Sequence, residues 1–134
     1  MPTFFRISNR CHDGLLFMGR LALEWGKGAV TIETAACHGA SAGYLEQIVA
    51  PLRQAGLVSG KRGPGGGYSL TRDPQKITVR EVVEALEGRL ALVACQVGQC
   101  CGENHCGSAA IWNKLRDRIG ETLDSLTLAD VAGE

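Results

Sequence analysis

Four of the six cysteines fall within twelve residues, in the segment CQVGQCCGENHC that runs from Cys95 to Cys106. Cysteine thiolates bind iron–sulfur clusters and zinc, and they also form redox-active disulfides. Gly98 and Gly102 allow the backbone to fold around a cluster, and the segment carries few charges. The segment is therefore a candidate for iron–sulfur ligation, for zinc binding, or for a metal-free thiol–disulfide switch.

Two observations weigh against zinc and against a metal-free disulfide. Structural zinc usually has tighter spacings, of about two to four residues within a ligand pair. A stable disulfide between the adjacent Cys100 and Cys101 is disfavoured because vicinal disulfides are strained. The remaining cysteines, Cys11 and Cys37, lie in stretches predicted to be helical, where a free cysteine often behaves as a small hydrophobe.

The start of the chain and its hydropathy indicate a cytoplasmic protein. The opening MPTFFRISNR lacks the charged, apolar and small-residue regions of a secretory signal. No run of about 18 apolar residues occurs, so a transmembrane helix is not expected. In a reducing cytosol, clustered cysteines more often bind metal or act in redox chemistry than form structural disulfides.

The net charge is zero, but the charges are unevenly distributed along the chain. Residues 1–72 carry eight Lys/Arg and four Asp/Glu, whereas residues 73–134 carry six and ten. A basic front half favours an anionic partner such as nucleic acid.

The first half of the chain predicts a helix-turn-helix. Residues 10–25 have apolar side chains at helical spacing. Thr31 can cap a short helix that follows, Ser41 can cap the next one, and Gly39-Ala40 forms the tight turn between them. Pro51 lacks an N–H and disfavours helix at the residue before it, so we expect a kink or a restart there.

A β-hairpin is predicted directly after the helix-turn-helix. The short apolar stretches LVS and YSLTR flank the glycine-rich loop GKRGPGGG. A nucleotide-binding loop is not predicted, because the pattern GxxxxGK[ST] is absent and the loop leads into a strand-like stretch. A helix-turn-helix followed by a hairpin is a winged helix, so the fold class is mainly α with a small β wing.

The second half predicts a long amphipathic helix outside this head. Thr78 and Glu81 form a capping-box sequence before one short helix, and Thr127 with Asp130 resembles another cap. Between them, residues 107–126 carry an apolar stripe at helical spacing: Trp112, Leu115, Ile119, Leu123 and Leu126. Such a stripe needs a second surface, which can be its own domain or a homodimer partner. The partner is favoured because winged-helix proteins usually bind two-fold DNA sites.

An enzyme is not predicted. A cysteine hydrolase needs a Cys–His pair with an orienting group. Cys37-His38 and His105-Cys106 are neighbours in sequence, which says little about side-chain geometry, and no oxyanion-hole signature is present.

Several stretches together are similar to a known bacterial family. The stretch GYLEQIVAPLRQAGLVSGKRGPGGGYSL, the three spaced cysteines and the closing SLTLADV resemble dimeric winged-helix regulators typified by the iron–sulfur cluster regulator (IscR) and the nitric-oxide-sensitive repressor (NsrR). The resemblance covers about residues 6 to 132. It implies a homodimer that binds palindromic double-stranded operator DNA, with an affinity tuned by an iron–sulfur cluster that responds to redox state, iron or nitric oxide.

The resemblance also implies which residues bind DNA. The start of the recognition helix matches at Ser41, Tyr44, Glu46 and Gln47. Gln can pair with adenine and Glu can accept from cytosine N4 in the major groove. In the wing, Arg62 would enter a narrow minor groove. Phosphate contacts, which position without specifying, are expected from Lys61, Arg53 and Arg72.

For the metal, the resemblance implies three cysteines and a fourth ligand. Cys95 and Cys106 match the outer two, and either Cys101 or Cys100 can be the middle one, with Cys101 narrowly favoured. The histidine that IscR-like members place three residues after the last cysteine is Ala109 here. This loss slightly favours a [4Fe-4S] over a [2Fe-2S] cluster.

The fourth ligand must therefore come from elsewhere. The nitric-oxide sensors take an acidic residue of the other subunit, near the start of the first helix, and that position falls on His12. Imidazole ligates iron in some iron–sulfur clusters. The alternatives are Asp13, Cys11, a small-molecule thiol or water.

These expectations divide the chain into three segments. Residues 1–87 form the DNA-binding domain, residues 88–106 the cluster-binding loop, and residues 107–134 the dimerisation helix with a C-terminal turn. Their predicted function is a transcriptional regulator, and the alternatives of the same fold are a metal-free thiol–disulfide switch or a zinc-stabilised regulator.

Overall fold

A computed structural model describes residues 6–35, 40–93, 96 and 107–133. The described elements, in chain order, are helices α1 (Asn9–Leu23), α2 (Ile32–Ala35) and α3 (Ala42–Gln54), strands β1 (Val58–Lys61) and β2 (Gly67–Leu70), a 3-10 turn (Pro74–Lys76), and helices α4 (Val79–Glu87), α5 (Ala109–Ser125) and α6 (Leu128–Ala132). The predicted fold class, mainly helical with a small two-stranded wing, is confirmed. No helix in the described part of the chain is long and apolar enough to cross a membrane.

Helices α1 and α3 begin at serine caps. The Ser8 hydroxyl accepts from the Cys11 N–H at 3.1 Å, and the Ser41 hydroxyl accepts from the Tyr44 N–H at the same distance. Each cap satisfies an N–H that the helix leaves without a backbone partner. The cap predicted at Ser41 is therefore confirmed.

The helix restart that was one expectation at Pro51 does not occur. Helix α3 runs without interruption from Ala42 to Gln54, with Pro51 inside it. Proline removes one intrahelical hydrogen bond, but the side chains on both sides of it are anchored in the core. Val49 is 1% exposed and Leu52 is fully buried. Tertiary packing therefore overrides the local preference of the proline.

The wing is an antiparallel hairpin held against the helices. Val58 pairs with Leu70 and Lys61 with Gly67, and Tyr68 forms a further bridge with Val30. Gly67 has φ 139°, and a Cβ there would lie 2.4 Å from the Val30 oxygen. Only glycine allows the chain to pass so close to that carbonyl.

Two capping boxes face each other at the end of the head. Thr78 with Glu81 and Thr127 with Asp130 form both reciprocal hydrogen bonds of the motif, as predicted. The two threonines form a β-bridge, and the Leu128 N–H donates to the Ile77 oxygen at 3.0 Å. Leu128 is fully buried, so α6 contributes to the same core as α1, α3 and the wing.

Candidate nucleic-acid interface and cysteine segment

Helix α3 presents the predicted base-reading residues to solvent. Leu45 and Ile48 face inward and are buried, whereas Glu46 and Gln47, between them in sequence, are exposed. Because Leu45 and Ile48 are buried in the core, Glu46 and Gln47 face solvent. The exposed amide and carboxylate are available to the edges of bases.

Three of the cationic side chains predicted to bind DNA line a groove between α3 and the wing. It is lined by Glu46 and Arg53 of α3 and by Lys61 and Arg62 of the wing. The Arg53 guanidinium lies beside β1, because a Cβ placed on Gly60 would be 3.8 Å from its Cζ. The structure therefore brings Arg53, Lys61 and Arg62 together on the surface that carries the exposed side of α3.

These three cations have no ion-pair partner in the described part of the chain, whereas Arg72 does. Arg72 donates to Glu81 at 2.8 Å and to the Lys76 oxygen at 3.1 Å. Burial alone would raise the pKa of Glu81, but the hydrogen bonds from Arg72 and from the Thr78 backbone hold that pKa below its ordinary value. Arg72 therefore stabilises the start of α4, and its predicted phosphate contact stays a prediction.

Tyr44 is connected to the first helix. Its hydroxyl donates to Asp13 Oδ2 at 2.8 Å, and this hydrogen bond raises the pKa of the phenol. The other oxygen of Asp13 lies 3.4 Å from His12 Nδ1. No sequence pattern indicated the contact between Tyr44 and Asp13, because the two residues are 31 positions apart.

The predicted metal ligands are only partly within the described residues. Cys95, Cys100, Cys101 and Cys106 lie outside them, so their arrangement stays a prediction. His12 lies in the first turn of α1 with a side chain that is 66% exposed. No group of three or more potential metal ligands occurs within residues 6–35, 40–93, 96 and 107–133.

Cys11, an alternative fourth ligand, has the character of a core residue. It is 2% exposed, and burial together with the nearby charge of Glu87 raises the pKa of its thiol to about 11. Metal ligation requires the thiolate. Burial of Cys11 within the folded chain therefore disfavours ligation by its thiol and agrees with the expectation of a small buried hydrophobe.

Gln96, next to Cys95 in sequence, is buried and forms hydrogen bonds with both its side chain and its backbone oxygen. It is the one polar residue among the described positions that is buried, at 8% exposure. Its side chain accepts from the Leu92 N–H at 2.7 Å and donates to Asn113 of α5 at 3.0 Å. Its backbone oxygen accepts from Arg89 at 2.9 Å. Gln96 thereby connects the residues after α4 to α5, and no sequence pattern indicated these contacts.

Helix α5 leaves part of its apolar stripe uncovered. Leu115 is 44% and Leu126 is 41% exposed, and Ile111 adds another exposed apolar side chain at 64%. Trp112, Ile119 and Leu123 are half-buried. The head of one chain therefore covers only part of the predicted stripe.

The matching regulators span most or all of the chain. The sequence model of the Rrf2 family, described as iron-dependent transcriptional regulator, matches residues 7–134. The HTH-type transcriptional regulator CymR of Bacillus subtilis (strain 168) is 37% identical over 128 residues, which are 95% of this chain and 89% of CymR. The HTH-type transcriptional regulator IscR of Escherichia coli O1:K1 / APEC is 42% identical over 95 residues, covering 70% of this chain and 59% of IscR.

Solved structures agree with these sequence relationships. The structure of CymR (YrzC), the global cysteine regulator of B. subtilis, superposes with a TM-score of 0.82 at 36% identity, covering 97% of this chain and 98% of CymR. T. potens IscR gives a TM-score of 0.76 at 37% identity, covering 96% and 86%. The expected resemblance to IscR-type regulators is confirmed, and so is the expectation of a regulator rather than an enzyme. The chain belongs to the Rrf2 family of transcriptional regulators.

Proposed function

We propose that this regulator is a homodimer that binds palindromic operator DNA with α3 and the wing, and that an iron–sulfur cluster controls its affinity. The observation that carries the DNA-binding part is the single surface formed by the exposed side of α3 and by Arg53, Lys61 and Arg62. These cations form no ion pair with any residue that the structure describes, so they can release counterions from DNA, which provides most non-specific affinity.

Each part of this surface has a distinct role in the proposal. Glu46 and Gln47 would contact base edges in the major groove, where both side chains distinguish base pairs. Arg62 in the wing would enter the adjacent minor groove. Arg53 and Lys61 would bind phosphates and so set the position of the head on the duplex. Ser41 would act at the start of α3 through its cap.

The proposed dimer would form through α5. Leu115, Leu126 and Ile111 are exposed in one chain, which leaves apolar area for a second copy to cover. A two-fold dimer presents two recognition helices to successive half-sites, about one helical turn apart. Dimer formation would thus determine which operators are accessible.

The proposed cluster would be held by Cys95, Cys106 and one of Cys101 and Cys100, with His12 of the partner subunit as the fourth ligand. This donor set suits the group, because thiolates and imidazole are both known ligands of iron–sulfur iron. Exposure of His12 and the carboxylate of Asp13 beside Nδ1 support the proposal. A ligating histidine usually donates its other N–H to such a group. The cluster, either [4Fe-4S] or [2Fe-2S], would supply sensitivity to iron, redox state or nitric oxide.

A metal-free thiol switch is the second candidate function. A specific observation favours it, since Staphylococcus aureus CymR, 30% identical with 97% of this chain covered, has a solved structure of its oxidized form. In this alternative, the cysteines of the 95–106 segment would change DNA affinity by oxidation and reduction of thiols rather than by binding iron.

One experiment separates these functions. The protein is purified without oxygen, its visible absorbance and its iron, sulfide and zinc contents are measured, and its DNA binding is then compared with and without metal. A coloured protein with equal iron and sulfide, whose DNA affinity changes when the iron is removed, supports the cluster. A colourless metal-free protein whose DNA binding responds to disulfide reductants supports the thiol switch, and stoichiometric zinc supports the zinc-stabilised alternative.

A further inference from the structure

A side-chain hydrogen bond joins the second turn of α1 to the first turn of α3. Tyr44 donates its hydroxyl proton to Asp13 Oδ2 at 2.8 Å, and its ring packs against the core. A bond from a hydroxyl to an ionised carboxylate is stronger than one between neutral groups. Asp13 is 30% exposed at the side chain, so the bond is partly shielded from water.

Both ends of Tyr44 are therefore fixed. Its backbone N–H donates to Ser41 at the cap of α3, and its hydroxyl donates to Asp13 of α1. The exposed residues Glu46 and Gln47 follow within the next turn of the same helix. This hydrogen bond therefore connects that turn to α1 next to the buried contacts of Leu45 and Ile48.

Helix α1 is itself held firmly beside Asp13. A Cβ on Gly14 would lie 2.3 Å from Leu86 Cδ1 of α4 and 3.2 Å from Ile48 Cγ2 of α3, so the three helices approach closely at this point. Ser8, which caps α1, also donates a hydrogen bond to Glu87 at the end of α4. Asp13 thus lies on a closely packed part of α1, and its carboxylate contacts α3, the proposed recognition helix.

The hydrogen-bond chemistry of Tyr44 restricts what its hydroxyl can do on DNA. A phenol carries a single donor hydrogen, and phosphate oxygens only accept. While that hydrogen is given to Asp13, the hydroxyl cannot donate to a phosphate. The negative charge of Asp13 would further repel a phosphate placed beside it.

We propose that Asp13 is a positioning residue for DNA recognition, which fixes the first turn of α3 by holding the Tyr44 hydroxyl. The inference rests on the proposed DNA-binding function and deepens it. Tyr44 then acts through Asp13 and not by its own contact with the DNA backbone.

The test is a double-mutant cycle on the full chain with Tyr44→Phe, Asp13→Ala and the pair. Affinity is measured over a range of salt concentrations for a duplex that the wild-type protein selects from a random library, and for a generic duplex. Tyr44→Phe keeps the ring and removes only the hydroxyl. Asp13→Asn serves as the matched control, because it removes the charge and keeps an acceptor for Tyr44.

Each single variant should weaken binding to the selected duplex by about fivefold. One hydrogen bond contributes about 1 kcal/mol, and its loss can reduce the population of the DNA-binding orientation of α3 by no more than that free energy. The pair should be no weaker than the more affected single variant, because both substitutions remove the same bond. Asp13→Asn should restore most of the preference for the selected duplex. The salt dependence should not change, because every phosphate-binding side chain remains in place.

A direct contact between Tyr44 and DNA gives a different pattern. Tyr44→Phe would then flatten the salt dependence of DNA binding. Asp13→Ala would free the Tyr44 hydroxyl, so this variant would bind DNA as tightly as wild type or more tightly. Either outcome overturns the proposal. If the wild-type protein selects no duplex, the proposed function fails instead. Amide exchange at the first turn of α3 without DNA provides a second measurement: it should be faster in Tyr44→Phe, and unchanged exchange would also overturn the inference.

Discussion

Arg80 of α4 and Asp124 of α5 form a salt bridge, with 2.9 Å between Nη1 and Oδ2. The same guanidinium binds Glu84 at 3.0 Å, so it connects two helices while staying half-exposed. Gly120 lies against it, because a Cβ there would be 2.9 Å from Arg80 Nη1. Gly120, which lowers the helix propensity of α5, thus leaves room for the Arg80 guanidinium between α4 and α5, while Leu115 on the same helix remains exposed.

Leu115→Glu should produce monomers that bind operator DNA weakly. A buried, unpaired carboxylate at the centre of the proposed dimer contact would cost several kcal/mol, whereas the same residue is tolerated on the surface of a monomer. Sedimentation of the wild type and the variant at micromolar concentration checks this. Lys114→Glu, at the adjacent exposed position, is the control and should stay dimeric; a wild-type protein that sediments as a monomer contradicts the proposal.

Gln47→Ala and Lys61→Ala should change DNA binding in different ways. Without a bidentate pair from Gln47, base preference should relax at one position by about 1–3 kcal/mol. Without the Lys61 ammonium, binding to all sequences should weaken similarly, and the log–log salt slope should fall by about one for each phosphate that a subunit no longer neutralises. Binding to a set of single-base operator variants at several salt concentrations measures both. Unchanged specificity in Gln47→Ala would mean that the recognition helix has been misassigned.

Single cysteine variants should identify the ligands of the proposed cluster. Cys95→Ala and Cys106→Ala should each abolish iron and sulfide binding, and only one of Cys101→Ala and Cys100→Ala should do so. His12→Ala should leave a cluster that is bound more loosely, with an altered spectrum. Iron and sulfide analysis with visible circular dichroism checks each variant. Full retention of iron, sulfide and spectrum in His12→Ala would exclude the histidine as a ligand.

Cys11 should make the protein less stable at alkaline pH. Burial raises the pKa of its thiol from 9.0 to about 11 in the folded chain. Between these values the unfolded thiol loses its proton and the folded one keeps it, so the unfolded state is favoured as pH rises. The stabilisation is complete below pH 9 and is lost as pH approaches 11. Urea unfolding across this window should show a steeper fall for wild type than for Cys11→Ala, and equal slopes would contradict the assignment.

The features that the sequence predicted correctly are mostly local. The caps at Ser41, Thr78 and Thr127 depend on residues within one turn, and the wing depends on glycines between two short apolar stretches. The outcome at Pro51 could not be predicted in this way, because the packing of Leu52 and Val49 decides it.

The contacts around the candidate site required the folded chain. Asp13 and Tyr44 are far apart in sequence, and neither position has a pattern that indicates its partner. Gln96 meets Asn113 only because α5 returns along α4. Glu46 and Gln47, by contrast, were singled out by the family resemblance; both are exposed on α3, and their contact with DNA stays a prediction.

The position of α6 affects how the protein is made. Leu128 is enclosed by the core, and Val131 packs so closely on α1 that a Cβ at Gly19 would lie 2.8 Å from its Cγ1. During translation, α3 and the wing are synthesised before α6, so the residues that complete their core are still missing at that stage. Interrupted translation upstream of Leu128 would yield fragments that are poorly folded and readily degraded. Chains that end before α6 would therefore lack the packing that supports α3 and the wing.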